Sequence, residues 1–74
     1  MPRVLHVLKG DHADLALAVI TPQAAAGDQV AVALIGATPE PALPAGVIVH
    51  RVPDDTSYER LLELIFEADS VVTW

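Results

Sequence analysis

Four short apolar runs punctuate this chain, and the first three are closed by a charge, a glycine or a proline. They are Val4-Leu5-His6-Val7-Leu8, Gln29-Val30-Ala31-Val32-Ala33-Leu34-Ile35-Gly36, Val47-Ile48-Val49-His50-Arg51-Val52 and Ser70-Val71-Val72-Thr73-Trp74. Near-continuous runs of β-branched and aliphatic residues suit strands buried on both faces, as in a parallel sheet. A strand, a helix and a strand in succession form a right-handed crossover. With helical segments between the first and second and between the third and fourth runs, the order predicted is β-α-β-loop-β-α-β. The fold class expected is a small layered α/β domain with a mainly parallel four-stranded sheet, a single domain over residues 1–74.

The helices are signalled by their ends. Asp11 is placed to cap the first, with Asp14 near its positive end. Leu15 and Val19, with Leu17 and Ile20, are the expected apolar face. Pro22 lacks a backbone donor and clashes one turn back, so a break is expected near Thr21, with proline restarting the helix. Gly27 ends it. Thr56-Ser57-Tyr58-Glu59 has the capping-box spacing. Beyond it Tyr58, Leu61, Leu62, Ile65 and Phe66 read as one face, and Glu59, Arg60, Glu63 and Glu67 as the wet one. The segment 37–46 holds three prolines and no periodicity, and reads as a loop within the domain.

Size and composition then bound the function. The 74 residues lie near the low end of what folds alone, and a core of this size rarely supplies more than roughly 3–5 kcal/mol. There is no cysteine, so disulfides and cysteine-bearing zinc sites are excluded. The 53% hydrophobic content favours self-association. Ten acidic residues stand against four basic ones, Arg3, Lys9, Arg51 and Arg60, which are scattered; direct nucleic-acid binding is not expected. No apolar run approaches the roughly 20 residues of a membrane span, and no signal-peptide pattern is present, so the expected location is cytoplasmic.

An open parallel sheet binds ligands beyond the carboxyl ends of its strands. Segments 9–12, 36–38 and 51–55 are expected to meet there. Lys9, Gly10 and His12, beside a helix amino end, with Arg51, are the candidate anion site. Asp11 and Asp14 oppose an anion, and no glycine-rich phosphate motif is present. His6 and His50 in neighbouring strands, with His12, offer a metal reading; hydrogen-bonded imidazoles are the plainer one. Asp54-Asp55 reads as a turn feeding a cap, and Ser57 as part of that cap. No catalytic residue and no cofactor is assigned. Trp74, packed in the core or placed at an interface, is with Tyr58 the candidate association anchor. Such an interface is expected to use Trp74, the last strand or the loop 37–46.

The opening Val4-Leu5-His6-Val7-Leu8, then Tyr58 with Leu61-Leu62, and the closing Asp69-Ser70-Val71-Val72-Thr73-Trp74 resemble the DsrE/DsrF/DsrH and TusB/TusC/TusD sulfur-relay family, most closely its DsrH/TusB branch. The likeness covers both ends of the chain. It implies an α/β sandwich, multimeric assembly and sulfur transfer, to transfer-RNA uridine or within sulfur oxidation. Sulfur-carrying members use cysteine, so the implied role here is a structural or regulatory subunit. The implied partner is a second copy or a cysteine-bearing homologue. A rival likeness, carried by residues 3–8, 27–32 and 46–53, is to the amino-terminal half of nucleotide-sugar glycosyltransferases. A small anion- or nucleotide-binding regulatory module is the remaining alternative.

Overall fold

In the computed structural model, which describes residues 2–10, 12–36 and 40–74, six elements follow one another. They are β1 (Arg3–Leu8), α1 (Ala13–Ala25), β2 (Gln29–Ile35), β3 (Ile48–Val52), α2 (Tyr58–Glu67) and β4 (Ser70–Thr73). The four strands form one parallel sheet, as the sequence predicts, and their order across it is β3-β2-β1-β4. The central pair is β1 with β2, in register Val4 to Val30 and Leu8 to Leu34. Residues of β1 pair with β4 from Val4–Ser70 to Val7–Thr73. Strand order turns around β1: α1 leads to β2 on one side, and α2 leads to β4 on the other.

The pleat sends alternate side chains to opposite faces, and each face carries its own core. Leu8, Ala16, Ile20, Val30, Val32 and Leu34 pack beneath α1, with Leu43 and Val47 of the β2–β3 connection closing the flank. Leu5, Ala33 and Val52 pack beneath α2, against Leu61, Leu64 and Ile65. Among the described residues, no helix joins β2 to β3. The proline-containing connection does that work, and Gly36 ends β2 in the left-handed region (φ +67°) with its N–H on the Val52 carbonyl at 2.8 Å.

α1 departs from expectation at both ends and in its face. It runs without a break from Ala13 to Ala25, through Pro22. Pro22 and Ala18 are both exposed, so the carbonyl that loses its partner opens to water. Ile20 on one side of the proline and Gln23 on the other are tied to the sheet, which holds the axis through it. The buried face is Ala16 and Ile20, while Leu15 and Val19 stay exposed. An almost wholly apolar helix has no periodicity with which to choose its face; small Ala16 decides it by allowing close approach to the sheet. The residue preceding α1 is His12, whose side chain makes no capping bond. The expected cap Asp11 lies outside the described residues.

The carboxyl end of α1 is a Schellman closure. Asp28 N–H bonds the Gln23 carbonyl at 3.1 Å, and Gly27 N–H the Ala24 carbonyl at 3.1 Å, with Gly27 at φ +90°. In α2 the cap stands one residue later than the capping-box spacing suggests. Ser57 Oγ accepts from Arg60 N–H at 3.1 Å. Thr56 is drawn away, donating to Asp55 Oδ1 at 2.8 Å and lying 3.4 Å from His50 Nδ1.

Candidate functional site

At the carboxyl edge, the turn at the point where strand order reverses is Lys9-Gly10, between the ends of β1 and β4. A shallow depression of about 310 Å³ lies against it, lined by Gly10, His12, Ala13, Asp14 and Leu15. Asp14 therefore presents a carboxylate where an anion would sit. Arg51 is on β3, with β2 between it and β1, about 10 Å across at ordinary strand spacing. Its guanidinium faces Glu40 at 3.6 Å. The expected anion residues thus stand in two places, Lys9, Gly10 and His12 at one end of the edge and Arg51 at the other. Of the segment 36–38, only Gly36 is among the described residues.

The third segment is a carboxylate-organised turn. Asp55 Oδ1 accepts from Arg51 N–H at 2.9 Å and from the Thr56 hydroxyl. The Thr56 hydroxyl, then the Arg51 N–H, hold the Asp55 carboxyl below the ordinary aspartate value of 3.8. Both bonds are used locally, to turn the chain from β3 into α2. Asp54-Asp55 is accordingly a turn, as its sequence suggests.

The histidines do not converge. β1 and β3 are not neighbours, because β2 lies between them; His6 faces α1 and His50 faces α2. Strand parity separates them, and no group of three or more metal-ligating side chains occurs among the described residues. His6 is instead fully buried and clamped by two partners. Trp74 Nε1–H donates to His6 Nδ1 at 2.9 Å, and His6 Nε2 lies 2.7 Å from Gln23 Oε1. An indole N–H can only donate, so Nδ1 must accept, and the proton sits on Nε2, donating to Gln23. The two rings stack with centroids 6.1 Å apart. Trp74 is half-buried against the α1-side core, and its own N–H continues the ladder to the Val7 carbonyl at 2.9 Å. Sequence reading weighed Trp74 and His6 separately; Gln23, which joins them to α1, carried no signal.

The other end of the sheet holds a larger cavity, about 500 Å³, at the amino ends of the strands beside α2. Arg3 and Arg60 line it together with Asp28 and Glu67, so its charges offset one another, and His50 lies beside them. Arg60 is held by Glu67 at 3.3 Å and Glu63 at 3.6 Å.

On α2, sequence reading marked Tyr58 as an association anchor but missed the two residues exposed beside it. Only Leu61, Leu64 and Ile65 turn to the sheet. Tyr58, Leu62 and Phe66, spaced four apart, form a separate stripe that is 57, 57 and 86% exposed. Arg60, Leu64 and Glu67 flank the sheet-facing side toward β2 and β3, where the cavity lies. The stripe is on the opposite flank, over β4. Below it Val71 is 40% exposed, and β4 is an edge strand. A single hydrophobic face in the sequence is therefore two faces in the fold. Burial of the first was legible from periodicity; exposure of the second depends on where the sheet ends.

No family model, no curated protein and no solved structure matches the chain. Among the described residues, no helix is long and apolar enough to cross a membrane.

Proposed function

We propose that this domain is a structural, non-catalytic subunit of a cytoplasmic assembly, of the kind that the DsrH/TusB branch contributes to sulfur-relay complexes. The observation that carries this reading is the open apolar stripe Tyr58, Leu62 and Phe66 beside the free edge of β4. Aromatic and aliphatic side chains exposed together beside an unpaired strand are a docking surface, and in isolation an aggregation hazard. Sulfur relay requires a thiolate to carry the persulfide. With no cysteine, this chain contributes contacts and leaves the sulfur to a cysteine-bearing partner.

The test is co-expression with a cysteine-bearing member of that family, followed by loading with a cysteine desulfurase and a sulfur donor. The two chains are expected to co-purify at a fixed ratio. Intact mass should show persulfide on the partner and none on this chain. Separate elution of the two at high micromolar concentration contradicts the reading.

A further inference from the structure

We propose that a second copy of this chain covers the α2–β4 face, joining two sheets edge to edge through antiparallel β4 strands about a two-fold axis. The proposal rests on the assembly reading above and names the occupant of that surface.

Three observations select a second copy. The first is shape. A two-fold axis perpendicular to the sheet keeps both α2 helices on one face of the joined sheet. α2 lies over β1, so the two helices stand three strand spacings apart, about 14 Å, wider than the 8–10 Å of direct helix packing. The large side chains of Tyr58, Leu62 and Phe66 from both copies fill that interval, with paired Val71 as its floor. An isologous contact needs one self-complementary patch, and this patch combines an open strand edge with its own helix stripe.

The second is area. Tyr58, Leu62, Phe66 and Val71 leave on the order of 500 Å² open per chain, so two copies bury about 1,000 Å² before backbone pairing is counted, the size at which specific interfaces begin. The third is charge. The net charge of −6 opposes self-association, and Glu59 and Glu63 border the stripe, three residues before Leu62 and Phe66, so the favourable contact is confined to its uncharged centre. The stripe and β4 itself are uncharged from Ser70 to Thr73.

Sedimentation of the chain alone tests this. The wild type is expected to reach twice 7.8 kDa in the micromolar range. Leu62→Glu/Phe66→Glu is expected to weaken association by at least about tenfold, with unchanged circular dichroism because both positions are exposed. Asp14→Asn, on α1 at the opposite face of the sheet, should dimerise as the wild type does. A wild type that stays single at high micromolar concentration overturns the proposal, as does a double variant that still dimerises. A chain that is single alone, yet loses its complex with the cysteine-bearing homologue through the double variant, overturns the second copy and leaves the assembly reading standing.

Discussion

His6 is held in one tautomer by partners of unequal chemistry. Trp74 offers only a donor and Gln23 Oε1 only an acceptor, so a buried ring with two satisfied nitrogens has one arrangement open to it. Nitrogen chemical shifts of His6 should therefore report the Nε2–H form; an Nδ1–H form contradicts the clamp. Trp74→Phe keeps an aromatic ring but leaves Nδ1 buried without a donor. It should destabilise the fold by about 1–3 kcal/mol in chemical denaturation. An unchanged midpoint would show that the clamp contributes nothing. Asp55 supports a pH prediction of known sign. Its carboxyl is held below 3.8 in the folded chain, so its contribution is present above that pH and is lost as pH falls through the folded value. Asp55→Asn should lower stability at neutral pH, and the gap from wild type should close below about pH 4. A gap that persists in acid would assign the effect to something other than the carboxylate. None of these pairings was legible from the chain alone. His6 and Trp74 are 68 positions apart, and only strand register brings them together.

The helices show where local rules hold and where packing overrides them. Gly27 ends α1 as its sequence predicts, because the closure needs a residue at positive φ and glycine reaches it without strain. Gly27→Ala should cost about 1 kcal/mol by thermal or chemical melting. Pro22 was expected to break the same helix and does not. Its penalty remains, since Pro22 has no N–H to give the Ala18 carbonyl, but Ile20 and Gln23 hold the helix to the sheet across it. Pro22→Ala should then raise stability by about 1–3 kcal/mol, with no change of fold. A loss of stability would mean that the proline shapes the turn into β2. Along α2 the periodicity identified the charged side correctly. It assigned Leu62 and Phe66 to the core because it cannot register that β4 is the last strand on that side. Strand positions were the most legible part of the chain, since three of the four apolar runs are closed by a glycine, a proline or a charge.

At the scale of the molecule, a four-stranded sheet with one helix on each face is an incomplete layer. α2 covers β1 and part of β2, and the flank over β4 stays open. Parallel pairing followed from the sequence because a strand buried on both faces needs crossovers. Strand order did not, since nothing local states which edge β4 joins. We propose that the working surface is this α2–β4 face rather than the carboxyl edge at Lys9-Gly10. A concentration series of amide spectra on the labelled chain, repeated with inorganic phosphate, tests it most directly. The amides of Tyr58, Leu62, Phe66 and residues 70–73 should shift together as concentration rises, and those of Gly10 to Ala13 should stay fixed with phosphate present. Phosphate shifts confined to Gly10 to Ala13, with α2 and β4 silent at every concentration, would contradict it.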